Sequence, residues 1–233
     1  MDLIGIYLKE ALENPGCPVC NILQKYEKSE ITTILYEHVN NPSVRDQFKE
    51  SLGLCTYHAW KLKEIAYSDP LLGALGVAVI YDHMLSVYIE SLEQGRRVKV
   101  SKCFLCRRAE EKERSIISGL SRRIEELLPV YKNSGAILCK KHYEMLKEEL
   151  GRENPSYADK LTEIQIEKLS TIRERVERFI DKFDYRSTEA PTKKEAEAVV
   201  LAIESLKGLP LQINFGETPK KPGIRGGIFG SRA

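Results

Sequence analysis

The chain reads as an all-α protein: duplicated zinc-clasped helical units packed into one helical bundle, with a flexible C-terminal tail. Three observations predict this. Apolar residues recur at the three-to-four spacing of helices, while the alternation of half-buried strands is nearly absent. Helix-start and helix-stop residues punctuate the chain. Cysteine and histidine fall into four short pairs whose order repeats once.

The elements follow in order. Between Asn21 and Val39 the apolar positions Ile22, Tyr26, Ile34, Leu35 and Val39 form one stripe. Asn41, Asp69 and Asn154 each stand before a proline, and proline suits a first helical position because it has no N–H to satisfy. The segment from Leu71 to Tyr81 is the most apolar and is interrupted by Asp82 and His83. It is too short to cross a bilayer and is expected as a buried core helix. Gly73 and Gly76 would let it approach a neighbour closely. Ala109, Ile116, Ile117, Leu120, Ile124 and Leu127 make a second long stripe. A third starts at Pro155 and runs through Leu161, Ile164, Leu169, Ile172, Val176 and Ile180 to Phe183. Thr192 followed by Glu195 has the spacing of a capping box, so a last helix should run to about Lys207. Gly95, Gly151 and Gly208 are placed as helix ends.

These divisions predict one all-helical domain over residues 1–208. It holds two metal-binding repeats (about 10–95 and 96–152) and C-terminal helices at 155–185 and 192–207. Residues 209–233, rich in glycine, proline and cations, are expected as a flexible tail.

Cys17 and Cys20 precede Cys103 and Cys106 by 86 positions, and Cys55 and His58 precede Cys139 and His142 by 84. Zinc takes four soft or borderline ligands in a tetrahedron, and two ligands three residues apart at a tight turn or helix start can meet one ion. The pairs make two Cys3His sets that use all six cysteines. The expected pairing is within each repeat: Cys17, Cys20, Cys55 and His58 for the first ion, Cys103, Cys106, Cys139 and His142 for the second. Three thiolates on a divalent ion leave a net negative charge. Lys102, Arg107, Arg108, Lys140 and Lys141 flank the second set and would offset that charge there, leaving the first set the more reactive toward oxidants and alkylating agents. Iron–sulfur ligation uses similar residues, but the helical spacing favours zinc.

Four ligands per ion leave no open position for water, which argues for structural rather than catalytic metal. The chain shows no nucleophile–base constellation, phosphate-binding glycine loop after a strand, or diagnostic acid pair. A redox role for the Cys-x-x-Cys pairs is the alternative from another class, although no strand precedes Cys17 as in thioredoxin-like folds. His38 and His83 read as packed histidines, and Trp60 as core over the first site. The 36 Lys and Arg against 34 Asp and Glu leave a net charge of +2. That balance gives no strong pull toward nucleic acid or membrane, so nucleic-acid binding through the second site and tail is a further alternative only. The N-terminus lacks a secretory signal, and six unpaired cysteines suit a reducing cytoplasm.

At the level of these motifs the chain resembles an uncharacterised prokaryotic family of all-helical proteins described as a domain of unknown function. The resemblance rests on Cys17-Pro18-Val19-Cys20, Gly53-Leu54-Cys55-Thr56-Tyr57-His58-Ala59-Trp60, Cys103-Phe104-Leu105-Cys106 and Leu138-Cys139-Lys140-Lys141-His142. Residues 179–186 are similar to that family's ending. It spans roughly residues 10–208 and implies the same helical fold and metal pattern, with no activity attached. The expected role is therefore a non-catalytic interaction or scaffold protein with a macromolecular, preferably protein, partner.

Overall fold

The computed structural model describes residues 3–209, all-helical with no strand among them. The ten helices are α1 (Leu3–Glu13), α2 (Pro18–Thr33), α3 (Pro42–Glu50), α4 (Thr56–Ser68), α5 (Leu75–Glu93), α6 (Phe104–Arg122), α7 (Ile124–Asn133), α8 (Lys140–Glu153), α9 (Pro155–Asp181) and α10 (Lys193–Lys207). A π-helical turn, Ile34–His38, extends α2. Apart from Leu209, the expected tail lies outside the described residues.

Two apolar cores organise the helices. The first joins Leu8 and Leu12 of α1 and Val19, Ile22 and Leu23 of α2 to residues of α6, α7, α8 and α9, among them Ile117, Leu127, Leu150 and Leu161. The second gathers Ile31, Ile34, Phe48, Leu62, Ile80 and Met84 with Phe104 and Leu105. A smaller cluster of Ile137, Ile172 and Ala198 seats α10 against α9. Two helices therefore belong to both main cores. α2 starts in the first and ends in the second, whereas α6 starts in the second and ends in the first. They run side by side in opposite senses.

Several expected boundaries move. The stripe from Ala109 to Leu127 is divided at Arg123, whose backbone (φ −114°, ψ 18°) leaves helical geometry between α6 and α7. Gly151 does not end a helix, because α8 continues to Glu153 and only Asn154 separates it from α9. Asn41 accepts a bond from Ser43 N–H, as a capping residue should, but the Asn154 side chain makes no such bond. Thr192 and Glu195 form both halves of the capping box at α10.

The apolar segment is the largest departure. Pro70 opens a turn rather than a helix, and α5 begins at Leu75 and runs straight through Asp82 and His83 for 19 residues. Its buried residues are Ile80 and Met84, while Leu75, Leu85, Ile89 and Leu92 are exposed. Asp82 is tolerated because it lies on that outer face, where water solvates it. By length and composition α5 is the one helix among the described residues apolar enough to cross a membrane, with 11% of its apolar window buried. Gly76 does serve close approach, since a Cβ there would lie 3.1 Å from both Leu35 and Val39.

Candidate metal centres

All eight candidate ligands sit at equivalent places in four helices. Cys17, Cys55, Cys103 and Cys139 are the residues before the first turns of α2, α4, α6 and α8. Cys20, His58, Cys106 and His142 follow three residues later. At that spacing both side chains overhang the helix N-terminus, where free N–H groups and the positive end of the dipole stabilise thiolate.

The structure brings these residues together in two clusters, but not in the expected pairing. Cys17 and Cys20 meet Cys139 and His142, while Cys55 and His58 meet Cys103 and Cys106; within each group the ligand atoms all lie within 4.8 Å of one another. The first group we call the outer centre and the second the inner centre, from their order along the chain. The pairing within repeats fails because α2 is shared by both cores. Its N-terminus lies in the first, while α4 and its Cys55–His58 pair belong to the second.

In the outer centre His142 Nδ1 lies 3.3, 3.4 and 3.1 Å from the sulfurs of Cys17, Cys20 and Cys139, and the Cys20 and Cys139 sulfurs are 3.9 Å apart. In the inner centre His58 Nδ1 lies 3.3, 3.6 and 3.3 Å from Cys55, Cys103 and Cys106, with Cys55 and Cys106 3.6 Å apart. Tetrahedral zinc, with bonds of about 2.3 Å to sulfur and 2.0 Å to nitrogen, requires edges of about 3.8 Å between sulfurs and 3.5 Å from sulfur to nitrogen. Both clusters match that size.

The histidines present Nδ1 to the sulfurs and turn Nε2 outward toward a glutamate that the sequence reading did not single out. His142 Nε2 is 2.8 Å from Glu113 Oε1, which also accepts from Lys141 at 2.6 Å. His58 Nε2 is 3.5 Å from Glu27 Oε1, short of a formed hydrogen bond, so that nitrogen is left without a hydrogen-bond partner. Glu27 is held by Lys61, and by the Tyr57 hydroxyl at 3.0 Å. Carboxylates of this kind fix the tautomer and orientation of a metal-bound imidazole. A signal for them was present: Glu27 and Glu113 are 86 positions apart, the same offset as the Cys-x-x-Cys pairs.

Charge tracks this geometry. Burial works against the charged form of both histidines, yet the neighbouring sulfurs and glutamates win, raising His58 to about 10 and His142 to about 11. Burial opposes Cys103 as a thiolate, but His58 and backbone N–H groups pull it down to about 6. Cys139 is lowered by hydrogen bonds from Cys17 and Cys20, while Cys20 is raised by the same contact with Cys139. Glu27 and Glu113 are both lowered: burial resists, but the histidine and lysine beside each prevail.

The surroundings differ from expectation in two respects. The flanking cations are divided between the centres and pair with carboxylates: Lys102 with Glu110, Arg108 with Glu30, Lys140 with Glu144 and Lys141 with Glu113. The proposed charge asymmetry therefore has no basis in the fold. Trp60 is 51% exposed and is not core. Access does distinguish the centres. All four residues of the outer centre are buried, whereas Cys55 and Cys106 are partly exposed.

The outer centre is further closed by two loops. Ile137 N–H donates to Gly16 O at 3.0 Å, and Leu138 N–H donates to the Tyr131 hydroxyl at 3.0 Å, which fixes the strand-like approach to Cys139. Gly208, at the end of α10, lies over the sulfurs with φ +80°; a Cβ there would meet Cys20 Sγ at 3.2 Å.

Comparison with known proteins adds the family. A family model described as "Family of unknown function (DUF6062)" matches the chain over residues 1–100 and again over 86–212. The chain belongs to this family. It is also similar to an "Uncharacterized 23.9 kDa protein in xynA 3'region" of Caldicellulosiruptor sp. (strain Rt8B.4), at 26% identity over 212 residues, covering 85% of this chain and 98% of the relative. No solved structure matches. Membership in DUF6062 thus agrees with the resemblance drawn from the motifs, and brings no activity with it.

Proposed function

We propose that the chain is a cytoplasmic, non-catalytic interaction or scaffold protein whose fold is held by two structural zinc ions. One observation carries this reading: every cluster offers a full tetrahedron of protein ligands, three cysteines and one histidine, at zinc-sized separations. A catalytic zinc keeps a position for water or substrate, and neither set needs one to complete it. Glu113 adds to His142 the orienting contact typical of metal-bound histidine, and Glu27 stands at the matching place behind His58. Free thiols as ligands suit a reducing compartment. The equal offsets of the Cys-x-x-Cys pairs and the glutamates support an origin by duplication. The partner is proposed to be another protein; nucleic acid is the weaker candidate at a net charge of +2.

Native mass spectrometry with elemental analysis, on protein purified without added metal, tests the reading. Two zinc ions per chain are expected. Iron in their place, or fewer than two ions with Cys17 and Cys20 disulfide-linked, overturns it.

A second reading has one observation in its favour. Cys55 and Cys106 are partly exposed, so the inner centre is open to oxidants. Under that reading mild peroxide ejects one ion reversibly and leaves a disulfide in the inner centre. A structural centre keeps its ion under the same treatment.

A further inference from the structure

The two centres are built from shared helices in a reciprocal way. The N-terminus of α2 supplies Cys17 and Cys20 to the outer centre. Seven residues further along the same helix, Glu27 faces His58 of the inner centre. The N-terminus of α6 supplies Cys103 and Cys106 to the inner centre, and seven residues beyond Cys106, Glu113 bonds His142 of the outer centre. At a rise of 1.5 Å per residue, each glutamate stands about 10 Å along its helix from the thiols of the other centre. Each helix therefore supplies two thiols to one centre and places a carboxylate behind the imidazole of the other.

From this we propose that Glu27 and Glu113 are positioning residues that couple the two centres, so that the ions bind with positive cooperativity. The proposal rests on the zinc reading above. The physical reason is helix register. An ion in the outer centre fixes the start of α2 against α8, and the rigid helix carries Glu27 to its place behind His58. An ion in the inner centre fixes the start of α6 against α4 and delivers Glu113 to His142. Both glutamates are buried, at 5% and 7% exposure, in the packing between these helices, so little slack remains between one centre and the other. Order imposed by the first ion need not be imposed again by the second, which is the form a coupling free energy takes.

The test is titration of metal-free full-length protein with zinc, read by native mass spectrometry as the fractions carrying no ion, one ion and two ions. Independent sites, whether equal or unequal, leave about half or more of the molecules with one ion at half saturation. Tenfold coupling between sites of equal intrinsic affinity reduces that fraction to about a quarter, and a fraction below half is the expected result. Glu113→Gln should raise it to about half or above while leaving a folded protein that still takes two ions at high zinc. A purely structural role for Glu113 would lower stability without changing that ratio. Cobalt titration of the Cys17→Ser/Cys20→Ser/Cys139→Ser variant provides the second measurement, because no thiolate remains in the outer centre and the cobalt–thiolate absorption then reports the inner centre alone. Its affinity is expected to fall at least tenfold although none of its ligands is altered. Two ions bound with half or more of the molecules in the one-ion form would overturn the coupling and leave the zinc reading intact. No bound metal at all would overturn both.

Discussion

Glu27 and Glu113 occupy matching places behind their histidines, yet replacing each by glutamine should damage different properties. Glu113 makes a 2.8 Å contact with His142 Nε2, and its other partner, Lys141, has a side chain 62% exposed. Glu113→Gln leaves that lysine in water, at little cost. What it removes is the charge that orients His142, a loss of about 10–100-fold in metal affinity for contacts of this type, or about 1.4–2.8 kcal/mol. Glu27 stands 3.5 Å from His58, so less orientation is lost there. Its closer partner is Lys61, whose side chain is only 2% exposed and has no water to fall back on. Glu27→Gln strands that ammonium in the second core, and breaking a buried pair from one side costs about 3–5 kcal/mol. Chelator-competition titration should rank Glu113→Gln as the weaker zinc binder. Urea unfolding at saturating zinc should rank Glu27→Gln as the less stable protein. Equal zinc affinity for Glu113→Gln and wild type, or a Glu27→Gln loss below about 1 kcal/mol, would refute this assignment.

Four other outcomes are expected. A fragment ending at residue 100 keeps one Cys-x-x-Cys and one Cys-x-x-His, yet should form no Cys3His centre, because both of its pairs have their partners beyond residue 100; a cobalt–thiolate spectrum with three sulfurs would contradict this. Iodoacetamide mapped by mass spectrometry should label Cys55 and Cys106 well before the three buried cysteines of the outer centre. Gly208→Ala places a Cβ 3.2 Å from Cys20 Sγ at φ +80°, and should cost about 1–3 kcal/mol together with weaker binding at the outer centre, read by thermal melts with and without chelator. The Thr192 backbone N–H, then Lys182, hold the Glu195 carboxyl down to about 2. Because the folded value lies below the unfolded one, this contribution is present above about pH 4.5 and is lost as pH falls toward 2. The stability gap between wild type and Glu195→Gln, measured at matched pH, should therefore close over that interval.

The helical class, the long C-terminal helices and the eight metal-type residues were legible because they depend on local pattern. Capping at Asn41 and Thr192, the run from Pro155 and the three-residue spacing of the paired ligands are all decided within a turn or two of helix. What could not be read was which pairs meet. That depends on α2 and α6 crossing between two cores, and repetition in sequence suggests local pairing just as readily as exchange. The misreading of α5 has a similar origin. An apolar run gives its hydropathy but not its neighbours, and here Ile80 and Met84 are the residues of α5 that become buried, while Leu75, Leu85, Ile89 and Leu92 stay exposed. Glu27 and Glu113 were hidden among 34 acidic residues, and their common offset gains meaning only once the histidines are seen to face them.

The order of the ligands along the chain has a consequence for synthesis. Cys55, His58, Cys103 and Cys106 lie wholly between the two halves of the other set, like one pair of brackets enclosed by another. On a ribosome the enclosed bracket has all its ligands once residue 106 has emerged. The enclosing one waits for His142, and until then Cys17 and Cys20 face the cell as a dithiol with no fixed companion. A nascent chain therefore passes through a stretch of translation in which its first knuckle is open to oxidation, and its two ligand sets are completed at two successive chain lengths.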